Sequence, residues 1–462
     1  MAREHDWRQE PRRDRPSSRG DVTPQYSSLD DTTGVKNVRP VSNSGGTSGE
    51  IFDVDDFAED FDGDVRKTRS DSRAPEPQGL AKSQDSATNL KPNRWLAFST
   101  QEDDIRLSPF SGEDCGAQLV EPISGTGGRN LWRDVSNPKF VGHGLQCPKV
   151  AGACEDSPPI FITPRGRSTE STYLGVFDGM GGAGAGQVTF SLDNQMPQST
   201  TEALLASRIC WRAAMSWIVN SDLRHRDDLR KEISSLLKSA TNKTSLSEGS
   251  RIRGTLTKRL PTTMVLSQVQ PLTSDDRFNI TTWWAGDSRA YLLTPEHGLA
   301  AITRDHVRES DQLEQLRSDP PIENVVNQST DFYLEETIQE VSGPFVLLLA
   351  TDGVFGYLPT PGFLELGLLE ALSNRSQEVS NKFATFCTTY AADDVSAVMV
   401  VSGFQDDRDV TDRFRVRLAT LRNQYSQILA MNPEDPNWNT EVERLWGLER
   451  PTYQRLLGGS ID

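Results

Sequence analysis

The sequence has no stretch of about 18 consecutive apolar residues, the minimum for a helix that spans a bilayer, so no membrane partner is expected. Its first residues, MAREHDWRQEPRRDRPSSRG, lack the apolar core of a secretory signal, which points to a cytoplasmic location. Cysteine is scarce: Cys115, Cys147, Cys154, Cys210 and Cys387 are an odd number with no CxxC pair. That usage suggests neither a disulfide framework nor a thiolate zinc site, and leaves oxygen or histidine to hold any metal. No GxxxxGK[ST] loop is present to cradle a nucleotide. Positive charge is also short, 49 basic against 66 acidic side chains for a net charge of -17. Such a field opposes a general polyanion binder, so no nucleic-acid partner is expected, although a local basic patch could hold a phosphate.

What is present divides into three. Residues 1–94 are polar and charged, punctuated by Pro, Ser, Gly and Asp without a sustained period, and read as a disordered acidic and polar tail. Within it, the segment at 51–62 sets Ile51, Phe52, Val54, Phe57 and Phe61 among carboxylates, a pattern for a solvated linker or for a partner with a basic, apolar groove. Residues 95–404 carry dense apolar runs from Trp95 and Leu96 onward and are expected to form the main folded domain, near the upper size for one core. Residues 405–462 predict a helical extension, with Phe414, Leu418, Leu421, Tyr425 and Ile428 at helical steps and Pro433 and Pro436 ending the helix. The apolar side chains beyond, including Trp446 and Tyr453, are expected to pack back on the main domain or to face a partner.

Within the central region, runs rich in branched and aromatic residues predict strands over Tyr173 to Phe177, Thr262 to Val269, Ile280 to Ala285, Ala290 to Leu293, Phe345 to Ala350 and Val395 to Val401. Two helices interrupt them. The first has Ser199 and Glu202 at capping-box spacing, with Leu205, Ile209, Ala213 and Trp217 on one face; the second runs from Asp227 to about Ala240. Without strict strand-helix alternation, the order predicts an α+β fold, a sandwich of antiparallel sheets flanked by helices.

Carboxylates recur where an apolar strand meets a turn. They are Glu155 and Asp156 in GACEDSP, Asp178 in YLGVFDGMGG, Asp352 in VLLLATDGVFGY, and Asp393 with Asp394 in AADDVSAVMV. A sheet fixes the backbone of such a residue while its side chain reaches solvent, which suits a metal ligand held in place. Several in one domain, with few histidines, suggest a hard-cation site for Mg2+ or Mn2+, against the simpler reading of turn-capping acids. In WWAGDSRAYLL, Asp287 is either a hairpin turn residue or a further edge of that site. His306, in the TRDH step, reads more readily as structural than catalytic.

In order, CEDSP, VFDGMGG, LPTTMVL, AGDSRAYLL, TRDH, LLLATDGVFGYL and DDVSAVMVV resemble the metal-dependent serine/threonine phosphatases of the PPM or type 2C family, in particular its bacterial members. The resemblance implies a β-sandwich of two antiparallel sheets with two Mn2+ or Mg2+ ions, and a weaker third, in a cleft at one sheet edge. It implies that Asp178 bridges both ions, that the Gly179 carbonyl and the Glu155 and Asp156 pair serve the second, that Asp352 and Asp393 hold the first, and that Asp287 aids the third. The implied reaction is hydrolysis of phosphoserine or phosphothreonine in a protein substrate by a water bridging the two ions, with Asp178, Asp352, Asp393 and Glu155 as the catalytic set. No cysteine opens a CxxxxxR loop, so a phosphocysteine route is unsupported.

The pattern departs from the family at Ala151, where members usually carry an arginine that grips phosphate. Cys154 stands where Asn is usual; Thr262 and Thr263 lack the Gly-rich lead and read as structural, as does Arg289. The segment between Asp305 and Phe345 reads as the family's flap. The missing guanidinium keeps a second class open, a catalytically weak or inactive phosphatase-like module that binds phosphoproteins and regulates.

Overall fold

The computed structural model describes residues 129–457 apart from 138, 151–153, 165–170, 191–197, 221–224, 244, 247–258, 273–275, 319 and 330. The expected tail at 1–94, its segment 51–62, the start of order at Trp95 and the Ala151 position therefore lie outside the described residues.

In chain order, β1 (Asn130–Asn137), β2 (Phe140–Cys147), β3 (Ile160–Ile162), β4 (Thr172–Val176), β5 (Gln187–Phe190) and β6 (Gln198–Thr201) precede the helices α1 (Glu202–Asn220) and α2 (Arg226–Lys243). Strands β7 (Ser245–Leu246), β8 (Met264–Pro271), β9 (Arg277–Ala285), β10 (Arg289–Thr294) and β11 (Gly298–Ala301) follow, then α3 (Gln312–Ser318), β12 (Glu335–Ser342) and β13 (Phe345–Ala350). The chain closes with α4 (Asp352–Phe355), α5 (Phe363–Leu372), α6 (Val379–Tyr390), β14 (Val395–Ser402), α7 (Asp407–Ala430) and α8 (Trp438–Tyr453).

The strands build a six-stranded sheet in the order β1-β2-β14-β13-β10-β11, a five-stranded sheet in the order β12-β9-β8-β4-β3, and a small sheet β6-β5-β7. This is the expected α+β sandwich. Every residue of β13 is buried because both faces are covered, which is why FVLLLA reads as a continuous apolar run rather than an alternation. Phe345, Leu347 and Leu349 meet Leu174, Val176, Val265, Ile280 and Trp284 of the facing sheet. Val346, Leu348 and Ala350 point the other way, into a cluster with α5, α6, α7 and α8.

On the outer face of the five-stranded sheet, Leu205, Ile209, Ala213 and Trp217 of α1 join Leu229, Ile233 and Leu237 of α2, as their spacing predicts. Ser199 does not cap α1. It lies in β6, and Thr201 Oγ1 accepts the Leu204 amide instead, at 3.1 Å. The predicted residues of α7, Phe414, Leu418, Leu421, Tyr425 and Ile428, are buried, as are Leu445, Trp446 and Tyr453 of α8. The extension thus packs on the six-stranded sheet's helical layer. The segment expected as a flap is in part a sheet element: Glu335–Ser342 forms an edge strand paired along its length with β9. Its polarity reflects that edge position, since its residues alternate between partly buried and exposed up to Glu340.

Candidate functional site

Strand register gathers the predicted acids at one end of both sheets. Arg289 pairs with Ala350, Ala350 with Ala397, and Val395 with Cys147, so β10, β13, β14 and β2 begin or end at one edge. The residues just beyond are Asp287, Asp352, Asp393 and Asp394. In the facing sheet, Val176 pairs with Val265 and Met264 with Ala285, which places Asp178 and Thr263 at the same end. Gly286, Asp287 and Ser288 do not close a hairpin: they carry the chain from β9 in one sheet to β10 in the other.

The loops at this end are tied together through backbone groups. Thr262 Oγ1 donates to the Asp178 carbonyl at 2.5 Å and the Thr263 amide donates to the same oxygen at 2.9 Å, the structural use expected of this pair. Thr263 Oγ1 also bonds Ser288 Oγ at 2.6 Å, linking the Asp178 loop to the Asp287 loop. The Glu155 turn is held by Ser207 Oγ of α1 on the Glu155 carbonyl at 2.6 Å. Asp394 completes it, because its two carboxylate oxygens accept the Lys149 and Glu155 amides, both at 2.7 Å. Two glycines allow the close approach. A Cβ on Gly179 would stand 2.6 Å from the Glu155 carbonyl oxygen, and one on Gly353 only 1.8 Å from that of Asp394. Neither contact leaves room for any other residue.

Within this frame the Asp156, Asp178 and Asp352 carboxyls lie close enough to repel one another. Thr351 Oγ1 donates to Asp156 Oδ2 at 3.1 Å. Burial, reinforced by repulsion from Asp352, raises Asp178 and Asp287 well above the ordinary carboxylate range. Burial and the Asp394 charge push Asp156 up to about 7, and burial also raises Glu155. Asp287 Oδ1 is enclosed and has no hydrogen-bond partner. Asp393 is exposed at the rim, where its Oδ1 accepts the Asp394 amide at 2.8 Å. A guanidinium lies beside the acids: Arg208 of α1, which burial lowers to about 10 against the opposing charges of Asp156 and Asp394.

The donors are all oxygen, and Asp287 keeps a buried oxygen without a hydrogen-bond partner among several acids, so the donor chemistry fits a hard divalent cation. Among the described residues, however, no group of three or more His, Cys, Asp or Glu side chains is disposed as a ready metal site.

The other singled-out residues are structural. Arg289 forms a bidentate pair with Asp305 at 2.8 and 2.7 Å, and His306 Nδ1 accepts the Gly286 amide at 3.0 Å. Lys149 is exposed and contributes its amide to Asp394. Sequence reasoning missed Thr351, Arg208 and the part of Asp394. Thr351 and Asp394 adjoin predicted acids and could have been found from those motifs; Arg208 lies 52 residues beyond Asp156 on a helix with no distinguishing spacing.

No family model matches the sequence, and no curated protein matches it. Solved structures with a similar chain path include a bacterial serine phosphatase, at 15% identity over 56% of this chain and 97% of that one, with a TM-score of 0.41. The serine/threonine phosphatase Stp1 from Staphylococcus aureus shares 15% identity over 62% of this chain and 95% of its own, with a TM-score of 0.40. The Mycobacterium tuberculosis serine/threonine phosphatase PstP/Ppp shares 16% over 57% and 99%, with a TM-score of 0.39. At these identities and scores they are likenesses of chain path that bear no inference. Among the described residues, no helix is long and apolar enough to cross a membrane.

Proposed function

We propose that this chain is a phosphatase-like module that binds phosphoserine or phosphothreonine of a partner protein at a divalent-cation cleft and hydrolyses it slowly or not at all. The observation that carries the reading is the placement of Asp393. It stands exposed at the rim with one carboxylate oxygen taken up by the Asp394 amide, in a site where, among the described residues, no three acids are disposed as ready metal ligands. Ala151, in place of a phosphate-gripping arginine, supports the same reading, because a planar guanidinium fork has no substitute in Lys149.

Asp178, Asp352, Asp156 and Asp287 are the residues that would hold Mn2+ or Mg2+, with Glu155 and the Gly179 carbonyl beside them and Asp393 at the rim. A bound cation would supply Lewis acidity toward the phosphate ester and its attacking water. The chain's own parts define the rest: the Thr262 and Thr263 bonds fix the Asp178 loop, and Asp394 fixes the Glu155 turn. A second reading, full metal-dependent protein phosphatase activity, is favoured by the gathering of four acids at one sheet end with an orphaned oxygen on Asp287.

Phosphothreonine-peptide binding and phosphate release, measured together with Mn2+, with chelator and in Asp178→Asn, separate these readings. Metal-dependent binding with turnover below about 0.1 s-1, under the usual range for enzymes, is expected. Turnover of about 1 s-1 or more that disappears in Asp178→Asn establishes the second reading. Peptide binding that ignores both metal and phosphate removes both.

A further inference from the structure

The C-terminal helix reaches the same end of the sandwich as the acids. Arg289 opens β10, two residues after Asp287, and its side chain is only 2% exposed. Besides the Asp305 pair, its Nη2 donates to Gln315 Oε1 at 3.0 Å and its Nη1 to the Tyr453 hydroxyl at 3.1 Å. The guanidinium carbon lies 4.1 Å from the centre of the Phe355 ring. Phe355 is the last residue of α4, the short helix that begins at Asp352. One buried cation therefore joins the strand that follows Asp287, the helix that starts with Asp352, and the end of α8.

Tyr453 is itself fixed. It is 1% exposed, with its ring edge-on to Tyr291 at 6.0 Å and to Trp446 at 5.5 Å. Tyr291 in turn packs edge-on against Phe355 at 6.1 Å. The next residue, Gln454, bonds Gln312 of α3 through its side chain. Hydroxyl, guanidinium and rings form a continuous support under two of the four cleft acids, and its outer end is supplied by a segment about 160 residues away in sequence.

We propose that α8 is a positioning element of the cleft, with Tyr453 and Arg289 as the positioning residues that hold Asp287 and Asp352 in place for a divalent cation. This rests on the cation-binding reading above. Loss of the Tyr453 hydroxyl leaves one Arg289 N–H without its buried acceptor and frees the guanidinium to shift from Phe355. An outer support of a ligand set is worth about 10-fold or more in metal affinity when removed.

The test uses the full chain with Tyr453→Phe, and with Val442→Ala as a control that thins the buried face of α8 without touching Arg289. Three quantities are read: Mn2+ affinity by calorimetry, amide exchange across 286–290 and 352–356, and melting temperature. In Tyr453→Phe, Mn2+ binding about 10-fold weaker and faster exchange in those two segments are expected, while Val442→Ala lowers the melting temperature and leaves the affinity unchanged. Affinity within about twofold of the parent, with unchanged exchange, overturns the proposal; so does an equal loss of affinity in Val442→Ala. If the parent chain takes up no Mn2+, the cation-binding reading fails, and exchange alone decides the positioning claim: acceleration confined to the two segments upholds it, and no change sinks it.

Discussion

Two groups of buried and half-buried acids lie in this molecule and are treated in opposite ways. In the helical layer, Glu365 is paired in bidentate fashion with Arg417 at 2.8 and 2.7 Å, and Glu441 with Arg444 at 2.7 Å on one arm. Glu449 accepts hydrogen bonds from Tyr425 and from Thr360, the latter at 2.9 Å. Each acid there has a cation or a hydroxyl of its own. In the cleft, Asp156, Asp178 and Asp352 repel one another, and Asp287 keeps a buried oxygen without a partner. Burying acids against each other costs stability. An arrangement that raises carboxyls where nothing structural is gained marks a site kept for chemistry.

The contrast can be broken by mutation. The largest effect is expected for Asp178→Asn, which should abolish Mn2+-dependent phosphopeptide binding, a loss of about 100-fold or more for a central ligand, measured by anisotropy. In the helical layer, Glu365→Ala should instead cost stability, about 2 kcal/mol by denaturant melting. That figure is already reduced because Arg417 retains partial exposure, and the loss arises because the change strands that guanidinium.

Acidity sharpens the comparison. Glu449 is pushed up to about 7, burial outweighing the bonds from Tyr425 and Thr360, and Asp156 reaches about 7 as well. An acid raised in the folded state contributes stability that is complete below its unfolded value near 4 and is lost as pH rises through the folded value. Stability should therefore fall between about pH 4 and pH 7, by on the order of 2 kcal/mol for Glu449. Glu449→Gln should flatten that part of the curve in a urea-melting series. The smallest effect is at the α7 start, where the Asp406 carboxylate accepts the Asp409 amide at 2.8 Å. Asp406→Ala should cost about 1 kcal/mol and leave cation binding untouched.

Much of this was legible in the sequence because the signals are local. Runs such as FVLLLA and VSAVMVV announce strands buried on both sides, and acids at their ends are placed together once the strands pair. The stripe of Phe414, Leu418, Leu421, Tyr425 and Ile428 foretold the buried face of α7. What escaped is non-local or crowded. Strand β2, FVGHGLQC, hides behind glycines that make room for Phe161 and Trp132 from other elements. Edge strand β12 was hidden by its charge, and the α1 cap moved from Ser199 to Thr201 because β6 runs on to the residue just before the helix. The contact of Tyr453 with Arg289 joins residues 164 apart, beyond any period or motif. The difference between Asp393 and Asp394 was also invisible, since two identical neighbours take opposite sides of one turn.

The most direct measurement is the melting temperature of the parent chain and of Asp178→Asn at pH 8, each with and without Mn2+. Cleft acids kept for a cation predict that, without Mn2+, Asp178→Asn melts higher than the parent because the cost of holding a raised acid above its unfolded pKa has gone, and that Mn2+ raises the parent alone. A parent that gains nothing from Mn2+, or a variant that gains as much, would contradict the account.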